Sequence, residues 1–413
     1  MQGIRQIDRS NRRDPSARGP YAKSAVTKRL ILDSARDLFI RRGFDAVSLR
    51  DIATASGLSH PALRRYFDST AAILDALVQR YELENYDGVL DAVHQVGALE
   101  ASIDLARRNA EHVGYIELFT ALAGVAASAE HPAHERMAAR YRAVREAAAA
   151  GVGPGRSDAA LVPALVDGLQ IASLFDPRID IPTEVALFVA WWRQGGIVRV
   201  PSIGVVGNSG HVPFAADGTR DRILRHAAEN FAMRGYYSTR VSDIASAAGI
   251  AKSTLLHHYA SKQDLLISVL VDLERRSSGS GDPAPDLPPA RVRRFVDLAC
   301  VDASATEDEV AALEAHVVLL CESTSPEHPG HAWYSDRISD ARLTLAADIA
   351  ASTTSGVREV SSDRAALWLH AARDGLRLQW IYDRELPVTH ALRGLCVSLV
   401  GDSVPSDATP SRA

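Results

Sequence analysis

Two stretches of this 413-residue chain concentrate side chains able to grip another molecule. Residues 50–74 read RDIATASGLSHPALRRYFDSTAAIL, and residues 242–266 read SDIASAAGIAKSTLLHHYASKQDLL. Shifted by 192 positions, they align without a gap. The first presents His60, Ala62, Arg64, Arg65 and Tyr66; the second presents Lys252, Ser253, Thr254, Leu256, His257 and His258. A guanidinium can hold a phosphate or read guanine through two parallel hydrogen bonds, and spacing alone does not choose between them. Ser48, Ser59 and Thr70 flank the first set, and Thr239, Arg240 and Lys262 flank the second, so all join the candidate contacts.

Other chemistries find less support. The chain carries no nucleophile–base–acid constellation and no glycine-rich phosphate loop, so no catalytic residue or cofactor is assigned. His131/His134 and His328/His331 repeat an H-P-x-H spacing at a turn between helices. Proline breaks a helix there and histidine can hydrogen-bond the last carbonyls, which explains the pattern better than a metal lacking a third ligand. Cys300, Cys321 and Cys396 are an odd number without metal spacing, as expected of core thiols in a reducing compartment.

The elements that must position these residues are legible. Ile52, Ala53, Gly57, Leu58 and Leu63 mark two short helices crossing steeply, with Ala53 at the close approach and Gly57 in a turn needing positive φ. Ile244, Ala245, Gly249, Ile250 and Leu255 repeat the set. Ser48 with Asp51 forms a capping box, and Ser59 caps the following helix; Arg240 and Ala251 replace the two serines in the second copy. Upstream, Ile31, Ala35, Leu38 and Phe39 share one helical face, and Ile223, Ala227 and Phe231 lie 192 positions on.

These stretches resemble the N-terminal domain of tetracycline-repressor family transcription regulators. The resemblance implies a three-helix DNA-binding domain followed by a larger helical domain that binds an effector and dimerises. It also implies a tyrosine and a lysine as phosphate contacts. Arg64 and Leu256 stand at the tyrosine position, and the lysine survives as Lys262 but is Thr70 in the first copy.

The duplication extends further. SAEHPAH (128–134) returns as SPEHPGH (325–331), and DGLQIASLFDP (167–177) returns as DGLRLQWIYDR (374–384), at offsets of 197 and 207. The expected fold is therefore all-α, with two tandem units forming an intramolecular pseudo-dimer. Its expected layout is a disordered basic arm (1–24), a helix-turn-helix domain (25–72) and a regulatory domain (73–195), then a linker (196–217). A second helix-turn-helix domain (218–266), a second regulatory domain (267–404, with a flexible loop at 275–289) and a disordered tail (405–413) follow.

Net charge is −5, so any basic surface must be local. Residues 25–70 hold eight basic against five acidic residues, and 219–264 hold seven against four. The expected partner is a double-stranded DNA operator, which the arm can help to hold. Phe119, Phe175, Trp333 and Trp380 are candidates to line an apolar effector site, unequal between the halves. The N-terminus reads as no signal peptide and no apolar run is long enough to span a bilayer, so a cytoplasmic regulator is expected.

Overall fold

The computed structural model describes residues 20–42, 44, 46–86, 97–131, 133–152, 160–194, 218–277, 287–297, 305–352 and 360–400. Every regular element among them is an α-helix. The first half contains α1 (Pro20–Arg42), α2 (Leu49–Ala55), α3 (His60–Leu63), α4 (Thr70–Tyr86), α5 (Ala98–Glu111), α6 (Tyr115–Val125), α7 (His134–Val152), α8 (Leu161–Phe175) and α9 (Ile181–Arg193). The second contains α10 (Thr219–Ser238), α11 (Val241–Ala247), α12 (Lys252–His258), α13 (Lys262–Ser277), α14 (Pro288–Asp297), α15 (Glu307–Glu322), α16 (His331–Ser352), α17 (Ser362–Tyr382) and α18 (Val388–Val400). Each described helix of one half has its counterpart nine places on.

Helix α1 starts at Pro20, inside the stretch read as an arm, and residues 1–19 lie outside the described ones. The expected linker and the tail also lie outside them. The loop expected at 275–289 is flanked by helix on both sides, since α13 runs to Ser277 and α14 begins at Pro288; residues 278–286 are not described.

Helices α1 to α3 bury the periodic face formed by Ile31, Ala35, Phe39, Ile52, Ala53 and Leu63. Helices α10 to α12 do the same with Ile223, Ala227, Phe231, Ile244, Ala245 and Leu255. Burial of the Ile, Leu and Phe side chains among them, at roughly 1.5–3 kcal/mol each, drives the packing of each small unit.

The halves join through α8, which is largely apolar, and α17, which mixes apolar with charged side chains; both are mostly buried. Gly168 of α8 lies against the backbone of Ala371, and Gly375 of α17 lies against the backbone of Ala164. At the offset of 207, Ala164 corresponds to Ala371 and Gly168 to Gly375. The contact is thus reciprocal, as in a two-fold interface where one patch meets its own copy.

Other contacts obey the same reciprocity. His134 packs on Tyr382 with ring centroids 5.3 Å apart, and His331 packs on Phe175, also at 5.3 Å. Arg145 bridges to Asp383 at 2.7 Å, and its counterpart Arg342 to Asp176 at 3.3 Å. On the pseudo-axis, Gly124 of α6 faces Cys321 of α15, and these positions correspond at the offset of 197.

The H-P-x-H turns serve this architecture. His134 Nδ1 bonds the Ala126 carbonyl at 2.9 Å, and His331 Nδ1 bonds the Ser323 carbonyl at 2.8 Å. Those carbonyls belong to the C-cap residues of α6 and α15, which have no partner inside the helix. Among the described residues no three His, Cys, Asp or Glu side chains gather as a metal site. No described helix is long and apolar enough to cross a membrane.

Candidate nucleic-acid interface

The reading segments are set by short-range hydrogen bonds. Ser48 accepts from the Asp51 N–H at 3.3 Å while Asp51 accepts from the Ser48 N–H at 2.9 Å, closing the capping box that starts α2. At the other end Leu58 N–H donates to Ala53 O (2.8 Å) and Gly57 N–H to Thr54 O (3.1 Å). This is a Schellman closure, and it needs the left-handed φ of +67° that Gly57 adopts. The second copy repeats it, with Ile250 N–H to Ala245 O (3.0 Å), Gly249 N–H to Ser246 O (3.1 Å) and φ of +66° at Gly249. No neighbour lies within 4 Å of a Cβ built on either glycine, so backbone conformation alone selects the residue.

Helix α3 starts at the Ser59 cap, whose hydroxyl accepts from Ala62 N–H at 3.3 Å. After Leu63 the chain continues as one tight turn, Arg64 N–H to His60 O and Phe67 N–H to Leu63 O, which holds Arg64 and Arg65 outward. Both arginines are exposed, His60 and Ala62 are half-buried, and Tyr66 is half-buried against the core. Thr70, also half-buried, opens α4.

In the second copy α12 is a full two-turn helix without a side-chain cap, because Ala251 offers no oxygen. Lys252, Ser253, Thr254, His257 and His258 are all exposed along it, as is Leu256, which is 40% exposed. Arg240 stands exposed at the N-cap of α11.

Two expected contacts are occupied internally. Thr239 is 1% exposed, and its hydroxyl donates to the Asn230 and Gly235 carbonyls at 3.0 and 2.7 Å, so it braces the end of α10 and leaves the candidate surface. Lys262 Nζ donates to the Tyr237 carbonyl at 3.3 Å and sits 4.3 Å from the Tyr236 ring centre. Burial holds its pKa below the usual lysine value, opposed by nearby Glu322. Lys262 therefore fastens its own domain.

The second unit is docked on its regulatory part through a polar joint. Glu322 on α15, 6% exposed, accepts the Tyr236 N–H at 2.8 Å. His328 stacks edge-on to Tyr236 and Tyr237, and its Nδ1 accepts from Gly330 N–H at 3.1 Å. Burial pushes His328 down to about 4, so it is neutral at pH 7. The first half has Val125 where Glu322 stands and Thr70 where Lys262 stands.

The effector candidates divide. Trp333 lines a cavity of about 190 Å³ in the second half. Phe119 and Trp380 are each 2% exposed in packing, outside that cavity's wall, and Phe175 belongs to the junction between the halves. The cavity's polar wall, His316, His370, Arg373, Asp374 and Arg377, escaped the sequence reading. A signal was present, since His370, Asp374 and Arg377 form an i, i+4, i+7 polar stripe along α17.

Removal of the exposed guanidinium groups gives a first expectation. On a DNA site selected by this protein, R64A and R65A should each weaken binding by about 1–3 kcal/mol. An arginine bound to phosphate should also lower the slope of log affinity against log salt by about one, whereas one reading guanine should relax preference at a single base. Fluorescence anisotropy at several salt concentrations separates the two, and unchanged affinity in both variants would remove this face from the interface.

Comparison with known proteins places these geometries. Residues 31–77 and 223–269 each match the bacterial regulatory proteins of the tetR family. The HTH-type transcriptional regulator AlkX of Mycobacterium tuberculosis is 34% identical over 91 residues, covering 22% of this chain and 40% of its own. The HTH-type transcriptional repressor KstR2 of Mycolicibacterium smegmatis is 47% identical over 60 residues, 14% of this chain and 29% of its own. The HTH-type transcriptional regulator RutR of Escherichia coli K12 is 36% identical over 67 residues, 16% of this chain and 32% of its own. The chain thus spans less than half the length of each of these curated relatives.

Proposed function

We propose, for a chain that belongs to the tetR family of bacterial regulatory proteins through two domains in tandem, that it is a sequence-specific transcriptional repressor. A single molecule supplies both reading heads. The observation that carries this reading is the reciprocal contact of Gly168 with Ala371 and Gly375 with Ala164, which makes within one chain the kind of interface that two-fold dimers make between chains. Two-fold readers of this kind place their recognition helices in half-sites about 34–36 Å apart, or a multiple of that. Because the two heads differ at every exposed recognition position, the operator should be an imperfect palindrome with unlike halves.

The reading extends to ligand control. A small molecule in the regulatory part would shift the heads, and binding reciprocity sets the limit: it weakens DNA binding only as far as DNA weakens its own binding. The relatives whose names state a direction are repressors, which favours occupancy of an operator over activation.

Light scattering tests the assembly. The mass should be near 44.5 kDa alone, with one chain added per operator. Binding-site selection from random DNA should return two different half-sites. A mass of twice the chain with a strict palindrome would overturn the single-chain arrangement.

A further inference from the structure

The cavity in the second half lies where the pseudo-symmetry fails. His316 corresponds to Phe119 and Tyr334 to Met137 at the offset of 197, and His370 corresponds to Pro163 at 207. In the first half Phe119 stacks on Tyr115 with ring centroids 5.8 Å apart and is covered by the Arg140 guanidinium at 4.4 Å. In the second half the His316 ring borders the cavity instead, with Tyr334 edge-on to it at 5.9 Å.

Most polar groups around that space are engaged with one another. Glu274 pairs with Arg337, and Asp374 pairs with Arg373 at 2.9 Å. His370 uses both ring nitrogens, Nδ1 toward Asp374 at 3.3 Å and Nε2 toward Arg373 at 3.1 Å. The Tyr334 hydroxyl donates to the His316 carbonyl at 3.3 Å, and Arg377 too is engaged within the protein. The His316 ring differs. Among the described residues neither of its nitrogens has a hydrogen-bond partner; its contacts are the edge of Tyr334 and the bond to its own carbonyl. Burial, with Arg377 nearby, pushes its pKa down to about 3. At pH 7 it is therefore a neutral imidazole with one donor and one acceptor to offer.

We propose that this cavity binds one small phenol per chain, its hydroxyl hydrogen-bonded to the His316 ring, an inference that rests on the ligand-controlled reading above. Size supports a single ring, since an apolar cavity of about 150 Å³ accepts benzene and this one measures about 190 Å³. Phe295, Trp333 and Tyr334 supply aromatic walls. A hydroxyl suits a neutral imidazole because it can donate to one ring nitrogen or accept from the other. A carboxylate or an ammonium group would instead surrender its water beside acids and bases that already have partners. A phenol, with a pKa of about 10, enters uncharged.

Two helices of this wall also hold the second reading head. Helix α15 carries His316 and Leu320 and, two residues on, Glu322, which accepts the Tyr236 N–H. Helix α13 carries Glu274 in the wall and begins at Lys262, which donates to the Tyr237 carbonyl. A ligand in the cavity bears on both helices and so acts on that head.

Titration calorimetry on the full chain at pH 7 compares phenol, benzene, benzoate and benzylamine. Phenol should bind once per chain, and the other three at least tenfold more weakly. H316F keeps a ring of similar shape and removes both nitrogens. It should weaken phenol at least tenfold, to the level of benzene, while benzene keeps its affinity and so reports an intact cavity. Absence of phenol binding, two equivalents per chain, benzoate or benzylamine binding as tightly as phenol, or full phenol affinity in H316F would each overturn the site. Operator affinity is measured with and without phenol. A chain that binds operator but not phenol overturns this inference alone. One that binds phenol with operator affinity unchanged, or binds no operator, overturns the regulatory reading and leaves the site standing.

Discussion

Alanine at Gly168 or Gly375 should part the two halves of the chain. A Cβ built at Gly168 falls 2.8 Å from Ala371 Cα and nearer still to its carbonyl; one at Gly375 falls 3.0 Å from Ala164 Cα, with the carbonyl again closer. Both obstacles are backbone in the middle of long helices, so no side chain can swing aside. The helices must separate, losing the packing of buried Leu165, Leu169, Leu376 and Trp368 around the crossing. Overpacking of this kind costs about 3 kcal/mol per substitution, or roughly 3–4 °C of melting temperature for a chain of 413 residues. In G168L the separation is larger, and the two heads lose their fixed relative placement. Operator affinity should then fall at least about 100-fold, because the second head no longer binds at a preset effective concentration. Calorimetry and anisotropy read both effects. A G168L protein with parental melting and DNA affinity would contradict the crossing.

The second large effect is confined to one head. E322A should leave the Tyr236 N–H buried without its acceptor, and Lys262 half-buried without the carboxylate that opposes its desolvation. An unsatisfied buried donor costs about 1–3 kcal/mol; Lys262, half-buried and partly screened by solvent, adds little to that. E322Q keeps an oxygen for Tyr236 N–H and should lose less. The prediction is local: amide hydrogen exchange should accelerate across residues 219–266 in E322A while residues 27–74 keep their protection. In the selected operator, preference should fade in the half-site proposed to face Lys252 and Thr254 and persist in the half proposed to face Arg64 and Arg65. Equal loss of protection in both units would show that Glu322 supports the whole bundle and is no joint.

The contrast between these two sites explains what could be read early. The duplicated helix-turn-helix units, their glycine turns, the Ser48–Asp51 box and the Ser59 cap were all legible. Each depends on groups no more than five residues apart, as in the bond from Leu58 to Ala53. The histidine caps were legible too, because His134 and Ala126 are only eight residues apart. Thr239 and Lys262 are both candidate contacts in the sequence, Lys262 because the resemblance implies a phosphate-binding lysine at that position. The Tyr237 carbonyl that Lys262 meets lies 25 residues back and depends on how the helices pack, whereas the Gly235 and Asn230 carbonyls that Thr239 meets are only four and nine residues back, at the end of its own helix.

By itself, the sequence determined that this protein is all-helical, built twice from one pattern, and equipped with two unlike sets of exposed side chains on two matching scaffolds. Periodicity and capping are local, so they survive translation into a string of letters. Only the tertiary structure decided which helix faces meet across the chain, that Glu322 grips a backbone amide 86 residues away, and that one half opens a charged cavity where the other is filled by Phe119. Those outcomes depend on shape and desolvation at contacts between distant segments, and a buried polar stripe such as His370, Asp374 and Arg377 acquires its meaning only from what packs against it.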